Sequence, residues 1–164
     1  MHIMEKKTCF GVIIATRGFF NPVFTGGARK EILELLEHLD CDCVIGSESD
    51  TPHGAVETLA DAKFYAGLFR ANAEKIDGVI VILPNFGDEL AVVQALDLAR
   101  LSVPVMVQAC NDELNKFSAR ERRDSFCGKL SVCNNLYQYN IPFTDTTQHT
   151  CDIASEVFRG DVER

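Results

Sequence analysis

Gly78-Val79-Ile80-Val81-Ile82-Leu83-Pro84-Asn85-Phe86-Gly87-Asp88-Glu89 is the stretch on which the fold turns. Residues 78–83 are small or apolar without a break, and four of them, Val79 to Ile82, are β-branched. Alternation would mark a strand with one wet face; an unbroken run marks a strand covered on both, as in a parallel sheet. Pro84 has no amide hydrogen to give to a ladder, so the strand ends there. Asp88 can accept from the free amides that open a helix, and residues 88–100 are rich in Ala, Leu and Val. Strand, short polar loop and helix follow one another within about twenty residues.

The same succession recurs along the chain. Cys9-Phe10-Gly11-Val12-Ile13-Ile14-Ala15, Cys41-Asp42-Cys43-Val44-Ile45 and Val103-Pro104-Val105-Met106-Val107 read as further buried strands, and Ile141-Pro142-Phe143 as the start of a short fifth one. Between them, Ala28, Ile32, Leu35, Leu36 and Leu39 recur at helical spacing, as do Leu59, Ala62, Ala66, Phe69 and Ala73. Another helix is expected over about 124–140, with Leu130, Cys133, Leu136 and Tyr137 on its inner face. Strands alternating with helices predict an α/β fold: a three-layer α/β/α sandwich on a parallel sheet, Rossmann-like or flavodoxin-like in strand order. Residues 1–145 are expected to form this domain. Residues 146–164, polar at first and then amphipathic, are expected to be a tail or the start of a linker to a further domain.

At 164 residues the chain is long enough to bury a core without disulfides or a structural metal. A net charge of -8 argues against nucleic acid or an anionic membrane as partner, since both demand a basic face. The one dense basic run, 120–123, is diluted by Glu121 and Asp124. Seven cysteines, several in apolar runs, read as small hydrophobes in a reducing compartment, and the first apolar run is too short for a signal core. The expected location is the cytoplasm.

In an open parallel sheet the ligand crevice lies beyond the carboxyl ends of the strands. After the first strand, Arg17 offers a forked donor in a loop shaped by Gly18 and Pro22. After the third, Asn85 and Phe86 pair an amide with a flat apolar ring, a combination suited to a sugar, while Asp88 and Glu89 are assigned to the helix terminus. After the fourth, Gln108 and Asn111 are candidate hydrogen-bonding groups. At the mouth of the 124–140 helix, Asp124 is the expected N-cap, with Ser125, Cys127 and Gly128 presenting hydroxyl, thiol and bare backbone. No histidine stands near Cys127 in sequence to serve as its base, so no catalytic residue is assigned. Gly-x-Gly-x-x-Gly and phosphate-loop motifs are absent, which counts against a flavin or nucleotide domain. His2, His38, His53 and His149 are scattered, Cys41-x-Cys43 lacks a second pair, and Asp145, His149 and Asp152 are close only by their spacing. No metal site is therefore expected.

Three segments carry a resemblance: 78–89, Pro104-Val105-Met106-Val107-Gln108-Ala109, and Arg123-Asp124-Ser125-Phe126-Cys127-Gly128-Lys129-Leu130-Ser131-Val132-Cys133-Asn134-Asn135-Leu136. They resemble the N-terminal region of L-fucose/L-arabinose isomerase-like proteins. The resemblance implies a Rossmann-like first domain of an aldose–ketose isomerase, in which a divalent metal, usually manganese, assists hydrogen transfer between C1 and C2. Family metal ligands and acid/base carboxylates lie in later domains, so no cofactor is expected within this chain. The expected partners are the remaining domains of a parent protein, further copies in a homo-oligomer and a monosaccharide. By the motifs, Arg17, Asn85, Phe86, Gln108, Ser125 and Cys127 line the substrate, and the chain alone is expected to be inactive. A stand-alone sugar or small-molecule binding module is the alternative.

Overall fold

The computed structural model describes residues 6–164; His2 lies outside them. Five parallel strands, β1 (Cys9–Ile14), β2 (Asp42–Val44), β3 (Gly78–Leu83), β4 (Val105–Ala109) and β5 (Thr144–Asp145), lie in the order β2-β1-β3-β4-β5. That is the flavodoxin-type doubly wound order, in which the direction of travel reverses between β1 and β3. The helices α1 (Val23–His38), α2 (Leu59–Ala71), α3 (Glu89–Ala99) and α4 (Ser125–Gln138) connect successive strands, and α5 (Glu156–Glu163) follows β5.

Every residue of β3 is buried, as its unbroken apolar run requires. Successive side chains enter opposite layers. Val79, Val81 and Leu83 join the core under α2, α3 and α4, and Ile80 and Ile82 join the one under α1 and α5. Each such fully buried Val, Ile or Leu contributes about 1.5–3 kcal/mol. Helix entry follows local chemistry: Thr58 and Asp61 form a reciprocal capping box at α2, and Asp88 Oδ1 accepts from Ala91 N (2.9 Å) at α3.

Two expectations are revised. Residues 146–164 pack onto the sheet: Cys151, Ile153, Phe158 and Val162 complete the α1 layer, and Cys151 N donates to the Ala109 carbonyl. Their polar opening is anchored by Lys129, a buried lysine on α4. Its Nζ donates to Thr146 Oγ1 (2.6 Å) and the His149 carbonyl (3.0 Å) and pairs with Asp145. The inner face of α4 is also rotated from the expected one. Ser125, Gly128, Lys129, Val132 and Leu136 face inward, while Leu130 and Tyr137 are exposed. The cause is Gly128, where a Cβ would collide with the Phe86 carbonyl. Helix and loop touch there backbone to backbone, and that contact decides which face turns in.

Candidate functional site

The loops after β1 and β3 leave the sheet toward opposite layers, and the space between them is the switch point. Asn85 bridges the two: its Nδ2 donates to Thr16 Oγ1 (2.8 Å), and its Oδ1 accepts from Gly87 N (3.1 Å). Gly87 has φ +71°, and a Cβ on it would meet Leu83 and Ala15, so both conformation and space demand glycine. On this base stands a shelf of arginines and aromatic rings. The Arg17 guanidinium lies 5.0 Å over the Phe86 ring, and Phe20 stacks on Phe86 at 5.8 Å. Arg17 Nη2 lies 2.9 Å from Glu89 and 3.4 Å from Asp88, so the acids that open α3 also position this guanidinium.

The shelf continues into residues from the basic run. Arg122 lies over Phe19 and Phe20 (5.8 and 5.9 Å). Arg123 lies 4.1 Å over Phe24, and its Nη1 donates to the Pro84 carbonyl (2.9 Å). Asp112 holds the approach to α4 by accepting from the Arg123 and Asp124 amides (2.9 and 3.0 Å). Asp124 sits at the N-cap position with φ +50° and makes no side-chain cap. Phe19, 64% exposed, is the ring left open at the rim. A groove of about 370 Å3 runs between Val23, Phe24, Glu31, Arg123 and Asp152. Desolvation, reinforced by Asp152, pushes the Glu31 carboxyl above its ordinary range. Two larger cavities of about 630 Å3 open at the amino ends of the strands, away from the edge where this topology binds ligands.

The six residues proposed from sequence separate into two groups. Arg17, Phe86 and Cys127 are at least partly exposed at the carboxyl edge, and Arg17 and Phe86 are in contact. Asn85, Gln108 and Ser125 are wholly buried and engaged inside the protein. Gln108 belongs to β4, not to the loop after it, and its Nε2 donates to the Cys151 carbonyl (2.6 Å). Ser125 Oγ donates to the Cys110 carbonyl. Gly128, expected as bare backbone at the rim, is packed under Phe86. Phe19, Arg122 and Arg123 were missed as site residues, although the signal was there: a basic run ahead of one helix and a Phe-Phe pair ahead of another.

A divalent metal does not fit here. Among the described residues no three His, Cys, Asp or Glu side chains converge. In the 145–152 segment, Asp145 is paired with Lys129 and the His149 ring leans on Phe126 at 5.5 Å.

The domain is a doubly wound α/β module with an arginine–aromatic shelf at its switch point. More narrowly, residues 11–164 match the family described as fucose/sulfoquinovose isomerase, N-terminal domain, and the chain belongs to that family. No curated protein matches it.

Proposed function

We propose that this chain is the substrate-lining and oligomerisation domain of an aldose–ketose isomerase, inactive by itself, with Arg17, Phe19 and Phe86 forming one wall of a monosaccharide site. The observation that carries this reading is the Arg17–Phe86 contact at the switch point. A guanidinium fixed by two carboxylates presents its remaining N–H groups to sugar hydroxyls, and an exposed ring beside it suits the C–H face of a 6-deoxyhexose. Asn85, Gln108 and Ser125 serve this wall from behind by fixing the loops that carry it. Cys127, exposed on the first turn of α4, stands at its border.

Proton abstraction beside a carbonyl needs a base and an electrophile within hydrogen-bond reach. The described residues offer no such pair, so the metal and the proton carriers belong to other polypeptide. Exposed Leu90 and Leu98 on α3 and Leu130 and Tyr137 on α4 supply an apolar surface for a neighbouring subunit. No described helix is long and apolar enough to cross a membrane, which is compatible with work in the cytoplasm.

Arg17→Ala in the complete isomerase should raise KM for a 6-deoxyhexose about tenfold, the worth of one charged hydrogen bond, with unchanged Tm. Unaltered kinetics, or aldose–ketose interconversion by the isolated chain, would overturn the reading. The groove beside Phe24 favours a second reading, a self-sufficient sugar-binding module. Calorimetry on the isolated chain decides: saturable binding of pentoses or 6-deoxyhexoses supports the module, and no heat supports the wall.

A further inference from the structure

Two buried polar atoms at the β2 end of the sheet have no partner among the described residues, and they reach it from opposite layers. Arg29 comes from α1 and Tyr65 from α2, and both extend past the end of β2, which is only three residues long. Arg29 is 91% buried, since 9% of its surface remains exposed. Its Nη2 donates to the Gly46 carbonyl, its Nε lies 3.8 Å from the Glu48 carboxylate, and its Nη1 has no acceptor. Tyr65 is fully buried, and its hydroxyl, which stands beside Arg29 and the Gly46 backbone, makes no hydrogen bond of good geometry with any described residue. Two glycines let the loop backbone approach these atoms closely. A Cβ on Gly46 would come within 3.1 Å of the Tyr65 oxygen, and one on Gly54 within 3.3 Å of Arg29 Nη1. Gly54 (φ +60°) and His53 (φ +61°) both hold left-handed backbone in this loop, a conformation that is costly for histidine and is retained only where the surroundings enforce it. Thr51, on the same loop, also has a buried hydroxyl without a partner among the described residues.

A guanidinium removed from water needs acceptors and a counter-charge, because an orphaned buried donor is among the costlier defects a fold can carry. Glu48 meets that need poorly. It is the one carboxylate within ion-pair reach of Arg29 among the described residues, yet its side chain is 82% exposed. Burial pushes the Tyr65 hydroxyl above its ordinary range, so it stays a donor at neutral pH.

We propose that the 46–54 loop closes over a binding site for a small oxyanion, phosphate or carboxylate in class, that accepts from Arg29 Nη1 and the Tyr65 hydroxyl at the carboxyl end of β2. The site lies on the far side of β1 from the Arg17–Phe86 shelf and does not depend on the role proposed for that shelf. The test is thermal denaturation of the chain titrated with inorganic phosphate, sulfate or acetate at fixed ionic strength, against chloride. At least one of the three should give a saturable rise in Tm; which one does so distinguishes a phosphate-like from a carboxylate ligand. Tyr65→Phe, which keeps the core ring, should weaken that binding about tenfold, and Arg29→Gln should abolish it. Should Arg29→Gln fail to fold, Tyr65→Phe decides alone. Glu48→Gln removes a competing carboxylate and should tighten binding. No oxyanion-specific rise in the unmodified chain, unchanged affinity in Tyr65→Phe, or loss of the oxyanion response in Glu48→Gln would each overturn the proposal.

Discussion

The β3–β4 half of the carboxyl edge and its β2 half treat buried polar groups in opposite ways. In the first, Asn85, Gln108, Ser125 and Lys129 are all buried, and each spends its hydrogen-bonding capacity on a neighbouring loop. In the second, Arg29, Thr51 and Tyr65 are also buried, and each keeps a polar atom without a partner among the described residues. A place beyond the strand ends therefore does not make a residue a ligand contact. Under the proposed reading the candidates are the residues with unspent hydrogen-bonding capacity, or with exposure, as at Arg17 and Phe19. The first half is a rigid mount for the shelf, and the second is a loop folded over unmet donors.

If the mount is rigid, its tightest point should tolerate least. Gly128→Ala pushes a Cβ into the Phe86 carbonyl, a backbone atom that cannot swing aside. It should cost about 3 kcal/mol in urea denaturation; a near-neutral result would mean that α4 and the β3 loop slide freely. Asn85→Ala comes next, because it strands the Thr16 hydroxyl and the Gly87 amide in the interior. A loss of about 2 kcal/mol is expected, and a smaller one would show that water replaces the amide.

Cys110, at the end of β4, probes the dryness of the same half. Burial pushes its thiol from 9.0 up to about 11. Because the folded state holds that proton more tightly than the unfolded chain, stability should fall as pH rises from about 9 toward 11, by on the order of 2 kcal/mol at most. Cys110→Ala should lessen the slope of that part of the unfolding profile, to which the desolvated Cys133 thiol also contributes, and identical profiles would mean that solvent reaches the Cys110 thiol. The smallest effect belongs to the β2 half. The nearest atoms to a Cβ on Gly46 belong to the Phe64 and Tyr65 side chains, and the partly exposed Phe64 can yield. Gly46→Ala should cost about 1 kcal/mol; a loss matching Gly128→Ala would erase the contrast between the halves.

Much of this was legible before any coordinates. The β3 run, the Asp88 cap and the helical spacing of Ala62, Ala66 and Phe69 each specify their element locally, through periodicity and the chemistry of one cap. Arg17 and Phe86 were legible as edge residues because each follows a strand by only a few positions. Asn85, Gln108 and Ser125 carry the same local signal, yet their partners lie 69, 43 and 15 residues away in sequence. No local pattern records where such a partner will stand. Leu130 and Tyr137 read as inward for the same reason: helical spacing gives the stripe, but a distant glycine contact turns the helix.

The amino-acid sequence by itself determined the three central strands, their helices and the sandwich they form, because burial on both faces is written into the apolar runs of β1, β3 and β4, whereas the edge strands β2 and β5 are partly or wholly exposed. Only the tertiary structure decided the strand order, the docking of 146–164 and the division of polar residues into mount and site. Those depend on which groups meet across long separations, and a hydrogen bond or a steric contact acts only between atoms already brought together.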